Sequence, residues 1–157
     1  MKKRNLFPLA VYIVSAELIG GLSALITGDF SSFFLTNKQP PLLPPSWVFP
    51  VVWVILYAIM GYSAYRISVA SVPDEKKKNA LTVYWAQLGV NFLWSIVFFK
   101  AELLWGGAVV ILILLILIAV MLSLFYKTDK TSAFINIPYL LWVLFATYLN
   151  IATAIIN

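Results

Sequence analysis

Three tryptophans set among amides and further aromatics are the residues of this chain best suited to chemistry, and that chemistry is recognition. Phe49, Trp53 and Tyr57 stand at i, i+4 and i+8, so on a helix they share one face. Gln87, Asn91 and Ser95 repeat the spacing with Trp94 and Phe98 alongside. Trp142, Ala146 and Asn150 repeat it again, flanked by Phe145 and Leu149. Aromatic faces offer stacking to a flat apolar molecule, and a few amides can orient its polar edge. The same residues could instead only hydrogen-bond neighbouring helices, which gains about 1 kcal/mol per contact. Spacing alone leaves both readings open.

Conventional catalysis is poorly served. The 157 residues include no histidine and no cysteine, which excludes thiol chemistry, thiolate metal sites and the usual proximal ligand of haem. No metal site is expected and no cofactor is required. A tetrapyrrole or similar ligand would be held by stacking, shape and hydrogen bonds. Glu17 is the one acidic residue inside an apolar run. A carboxyl at such depth is costly as an anion and marks a functional candidate by default, although a protonated or paired structural carboxyl is the plainer reading. A lone intramembrane carboxyl would also suit a proton-coupled small-molecule transporter.

The elements that must position these residues are membrane spans. Hydrophobic residues make up 62% of the chain and charged ones 11%, well under the roughly 25% of a soluble domain. A span needs about 20 apolar residues. Five runs qualify, at about Leu6–Ile26, Ser46–Val69, Leu81–Phe99, Leu104–Tyr126 and Ser132–Ile156. The expected fold is therefore all-α, an integral membrane bundle of five transmembrane helices forming one domain over residues 1–157. The segment behind Met1-Lys2-Lys3-Arg4 exceeds the 7–15 residues, roughly, of a signal-peptide core and reads as a retained helix. Pro40, Pro41, Pro44 and Pro45 prevent a helix from crossing the first loop, and Pro138 is expected to kink the fifth span.

Charge sets the expected orientation. With a cytoplasmic N-terminus, nine basic residues lie inside (Lys2, Lys3, Arg4, Arg66, Lys76, Lys77, Lys78, Lys127, Lys130) and two outside, Lys38 and Lys100. The C-terminus then faces outward. The net charge of +5 thus suits loops against anionic lipid rather than a nucleic acid. Trp47, Trp85 and Trp105 fall at span ends as an aromatic belt, whereas Trp53, Trp94 and Trp142 fall within spans and need partners there. Ala16, Gly20 and Ala24 form a small-residue face that could serve the bundle or a dimer.

Read in order, Pro44-Pro45-x-Trp47-x-Phe49-x₃-Trp53-x₂-Leu56-Tyr57, then Gln87-x₃-Asn91-x₂-Trp94-Ser95-x₂-Phe98-Phe99, then Pro138-Tyr139-x₂-Trp142-x₂-Phe145-Ala146-x₂-Leu149-Asn150, resemble the translocator protein family. That family is also called the tryptophan-rich sensory proteins or peripheral-type benzodiazepine receptors. The resemblance runs over essentially the whole chain. It implies a five-helix bundle, often a homodimer, in a bacterial cell membrane, with a ligand pocket beneath the first loop. It further implies a receptor or sensor for porphyrins and other flat apolar molecules, with membrane lipid as the surrounding partner. The pocket residues it implies are Trp53, Asn91, Trp94, Trp142, Ala146 and Leu149. Light-dependent porphyrin breakdown is ascribed to some bacterial members, which would make Trp53 and Trp142 catalytic.

Two departures narrow the transfer. Leu42 and Leu43 stand where the family frequently has a tryptophan before its Pro-Pro, which removes a stacking partner. Tyr148 is followed by no basic residue through Asn157, so the sterol motif of animal members is not carried over. Its loose pattern does occur at Leu56…Tyr62…Arg66 and Leu122…Tyr126…Lys130, which shows how little it specifies.

Overall fold

Helix starts are written locally by proline and by acidic caps. The structure, a computed structural model, describes residues 6–157 apart from the side chain of Phe30. Helix α1 (Phe7–Thr27) carries Pro8 in its first turn and ends at Gly28, whose φ of +79° suits a residue without Cβ. Asp29 caps the short α2 (Phe30–Thr36), accepting from the Ser31 N–H at 2.9 Å. Beyond the prolines, α3 runs Val48–Ser68. Helix α4 (Asp74–Ser95) starts after Pro73 with Asp74 and Glu75 against its positive N-terminal dipole, and continues as a π-helical turn over Ile96–Lys100. Then follow α5 (Leu104–Thr128), α6 (Lys130–Phe134) and α7 (Ile137–Ile156). No strand occurs among the described residues.

Five helical stretches are long and apolar enough to span a membrane: Phe7–Thr27, Val48–Ser68, Asp74–Lys100, Leu104–Thr128 and Lys130–Ile156. The all-α membrane bundle expected from the sequence is therefore the observed architecture. Two boundaries differ from expectation for physical reasons. Helix α4 begins at Asp74 rather than Leu81, because a charged turn can be helical before the chain reaches hydrocarbon. Pro138 does not kink a continuous helix either. The backbone breaks at Ile135 and Asn136, and Pro138 falls in the first turn of α7, where its missing N–H costs nothing. The Asn136 side chain secures the break, donating to the Ser132 carbonyl at 2.7 Å and to Ser63 Oγ at 2.6 Å.

Packing decides which face of each helix turns inward. On α5, Gly107, Ile111, Leu114, Ile118, Met121 and Phe125 are buried at alternating steps of four and three, while Val109, Leu112, Ile113 and Ile116 are exposed. Helix α1 is closest to α3, with little side chain between them. A Cβ at Gly61 would lie 2.6 Å from the Ile13 Cα, and one at Gly20 would lie 2.3 Å from the Tyr57 ring. Ala16 is wholly buried beside them. Ala16 and Gly20 of the small-residue face thus pack within the bundle, whereas Ala24 is exposed. Toward the C-terminal end of α1, Thr27 Oγ1 and Ser95 Oγ share a 3.0 Å hydrogen bond between α1 and α4.

The opposite end is fastened by charge. Arg66 donates to Asp129 through Nε at 2.7 Å and through a terminal guanidinium nitrogen at 3.1 Å, and Asp129 also caps α6 through the Ser132 N–H. The Arg66 hydrogen bond, seconded by Ser132, holds the Asp129 carboxyl at about 2.

Two outcomes test this packing. Gly61→Ala must push apart the backbones of α1 and α3 and is expected to cost about 1–3 kcal/mol in detergent unfolding, whereas Gly89→Ala, with nothing within 4 Å of the added methyl, is neutral or slightly stabilising. Because the Asp129 carboxyl is depressed, its contribution is complete above about pH 4 and is lost as pH falls through about 2. Unfolding measured across that window should show the loss, and Asp129→Asn should flatten some of it while lowering stability at neutral pH.

Candidate functional site

One aromatic cavity lies between α1, α3 and α4. Phe49, Trp53 and Tyr57 of α3 and Asn91 and Trp94 of α4 line it, as helical spacing groups them. The Trp53 ring sits 5.6 Å from Tyr57 and 6.2 Å from Trp94, so the three rings form a continuous wall. Phe99 closes the end nearest the π-helical turn. It reaches this position because the π-helical turn holds an extra residue, which lets both Phe98 and Phe99 contact Trp94, at 5.9 and 5.7 Å.

Helix α1 supplies the facing wall through Glu17, Gly20, Gly21, Ser23 and Ala24. Apart from Glu17, whose carboxyl was already conspicuous, these residues escaped the search for aromatic faces. A row of small residues opposite bulky rings was the available signal, since it leaves space that larger side chains would fill. Gly21, Ala24, Pro50 and Val54 line the cavity and are exposed, so its mouth is lateral, between α1 and α3. The enclosed volume is about 150 Å³.

Among the described side chains, none of the first loop lines this cavity. The loop's helix α2 instead covers the adjoining ring cluster. Phe33 packs on Phe98 at 5.0 Å and on Phe99 at 5.2 Å, and Phe34 stacks on Phe49 at 5.5 Å. The loop is pinned from the far end of α7. The Asn157 side chain accepts from the Lys38 N–H at 2.8 Å and donates to the Lys38 carbonyl at 3.1 Å, and the Tyr148 hydroxyl donates to the Pro41 carbonyl at 2.9 Å.

The residues expected from the fifth span fall elsewhere. Ala146, Leu149 and Asn150 line a space of only about 20 Å³ beneath α2. Trp142 and Phe145 border an open groove between α3 and α7, and Trp142 meets the cavity wall through Phe49 at 5.9 Å. Trp53 and Trp142 therefore do not face one shared space.

Several of the expected polar residues tie helices together. The Trp94 indole N–H donates to Asn150 Oδ1 at 2.9 Å, and Asn150 Nδ2 donates to the Leu104 carbonyl at 3.0 Å, which joins α4, α5 and α7. The Tyr139 hydroxyl donates to Gln87 Oε1 at 2.6 Å, and Asn91 Nδ2 donates to that hydroxyl at 3.4 Å. Asn91 thus belongs both to this network and to the cavity wall. The buried Trp142 Nε1 has no partner among the described residues. Among these residues there is also no group of three or more acidic side chains that could hold a metal ion.

Comparison with known proteins bears on the whole of this arrangement. Residues 10–156 match the TspO/MBR family. The chain belongs to that family. It is 32% identical over 148 residues to Protein CrtK of Rhodobacter capsulatus, covering 94% of this chain and 91% of that one. It is 30% identical over 154 residues to the tryptophan-rich protein TspO of Archaeoglobus fulgidus, covering 98% and 99%. Similarity extends to the human translocator protein, at 30% over 129 residues, 82% of this chain and 76% of the relative. Family membership and five spanning helices make the chain an integral membrane protein.

The hydrogen bonds separate structural from free indoles. Asn150→Leu strands both the Trp94 N–H and the Leu104 carbonyl and is expected to cost about 2–4 kcal/mol. Trp94→Phe should cost about 1 kcal/mol more than Trp142→Phe, whose lost N–H leaves no acceptor unpaired. Thermal unfolding of the three variants in detergent checks the ranking.

Proposed function

We propose that this TspO/MBR family member is a membrane receptor of the sensor type, taking a flat apolar ligand such as a porphyrin against the Trp53–Tyr57–Trp94 wall. The observation that carries the reading is an aromatic cavity whose mouth opens sideways between α1 and α3, where a lipid-dissolved molecule arrives without crossing water. Its volume of about 150 Å³ is below the roughly 300–1,000 Å³ of sites that enclose a whole ligand. A macrocycle therefore enters by one edge, and its remainder stays in the mouth and in hydrocarbon. Trp142, Phe145, Ala146, Leu149 and Asn150 support the wall from behind through Phe49 and Trp94.

Without histidine or cysteine the chain offers iron none of its usual axial ligands, so metal-free porphyrin is favoured over haem. The excess of basic residues in alternate loops supports a cytoplasmic N-terminus, an outward C-terminus and a bacterial cell membrane as the site of action. Ala16 and Gly20 pack within the bundle, so a homodimer would use the exposed Gly21 and Ala24 or another surface.

Titration of the purified chain with protoporphyrin, followed by tryptophan quenching, tests the proposal. Saturable quenching is expected, weakened about tenfold or more by Trp53→Ala, which removes one stacking face. Quenching that never saturates, or that Trp53→Ala and Trp94→Phe leave unaltered, would overturn it.

A further inference from the structure

The cavity has a carboxyl that its aromatic walls do not explain. Glu17 is the eleventh of the 21 residues of α1, about 15 Å of helix from either end and so near the bilayer centre. It lies close enough to the Tyr57 hydroxyl to interact electrostatically, yet no cation pairs with it among the described residues, whose ion pairs are Arg66–Asp129 and Lys77–Asp74. No lysine, arginine or histidine lines the cavity. A carboxyl at this depth stays protonated or is stabilised as an anion by a counter-charge, and none of the described residues supplies one here.

The opposite wall suits such a counter-charge. Trp53, Tyr57 and Trp94 line the cavity, with the Trp53 ring 5.6 Å from Tyr57 and 6.2 Å from Trp94, and tryptophan and tyrosine faces attract cations through their quadrupole, most strongly when water is excluded. An aromatic cage with one carboxylate is the chemistry that recognises an organic ammonium group. The enclosed space of about 150 Å³ suits a substituted ammonium head better than a whole macrocycle. Depth also excludes one source of that head. A phospholipid keeps its choline or ethanolamine at the interface, whereas Glu17 sits about ten residues from each end of its helix. The occupant must therefore be a molecule that carries its amine into hydrocarbon.

We infer that the cavity between α1, α3 and α4 is a subsite for the protonated amine of a lipophilic ligand, with Glu17 as counter-ion and Trp53, Tyr57 and Trp94 as the cation-binding walls. The inference rests on the reading of this cavity as a ligand site and specifies the charge of what enters. An anionic edge, such as a ring carboxylate, is turned away from Glu17 and toward the mouth.

Three probes that share one flat ring system test it: pyrenylmethyl-trimethylammonium, neutral pyrenemethanol and anionic pyreneacetate. Each is titrated into the full-length chain in zwitterionic nanodiscs, with energy transfer from tryptophan to pyrene as the readout. The cation is expected to bind about tenfold or more tightly than the alcohol, with the anion weakest. Glu17→Gln is expected to bring cation and alcohol within about twofold, with saturable transfer to either probe showing that the variant is folded. If the alcohol binds the wild type as tightly as the cation does, the inference fails and the ligand site stands. The same holds if Glu17→Gln keeps the preference. If no probe gives saturable transfer, the ligand site fails and the inference with it. The wild-type comparison needs no variant and is enough to refute the proposal.

Discussion

Between helices in hydrocarbon there is little hydrophobic drive, and no water is at hand for a stranded polar group, so small residues and internal hydrogen bonds must hold a bundle together. Here those fastenings stand at separated points along α1. In its N-terminal half, Gly61 lets α3 come into contact with the Ile13 backbone. At its C-terminal end, Thr27 is bonded to Ser95. Between them, Gly20 lies against the flat Tyr57 ring, and Glu17 and Ala24 leave room that none of the described residues fills. The cavity is the gap between those attachments. Its shape follows from where α1 can approach closely and where a bulky ring holds it off.

The other helices are tied by amides. Asn150 bonds Trp94 on one side and the start of α5 on the other, and Tyr139 draws Gln87 and Asn91 into one cluster. These bonds fix the Trp94 ring, which is 4% exposed, and so fix one wall of the cavity. Of the two readings left open by spacing, the helix-linking one holds for the polar atoms, and the ligand pocket is proposed for the ring faces of the same residues. Trp94 gives its N–H to the bundle and its ring face to the cavity. Glu17 stands apart from these networks, which is why it is informative about a ligand.

How far the site was legible depended on the helix. Phe49, Trp53, Tyr57, Asn91 and Trp94 converge as their spacing implied, because each set lies on a face that meets the same space. Trp142, Ala146, Leu149 and Asn150 share a face just as clearly, but that face meets the back of the ring cluster. A periodic face shows which residues travel together, not which neighbour they meet. Phe99 was hidden for another reason. It reaches the cavity through a π-helical turn, and an inserted residue shifts the register that a 3.6-residue count assumes.

The tryptophan-rich faces, the absence of histidine and cysteine, the spanning helices and the family itself are properties of residue type and order, and the sequence alone determined them. Length and hydropathy suffice there because a bilayer imposes one thickness and one requirement on every span. Tertiary structure decided that α1 supplies the second wall, that the mouth is lateral rather than beneath the first loop, and that Glu17 lines one cavity with three aromatic rings and has no ion-pair partner among the described residues. Those outcomes turn on contacts of a few ångströms between helices distant in sequence, such as Gly61 on Ile13. An apolar run such as α5, hydrophobic on every side, carries no mark of which side faces its neighbours.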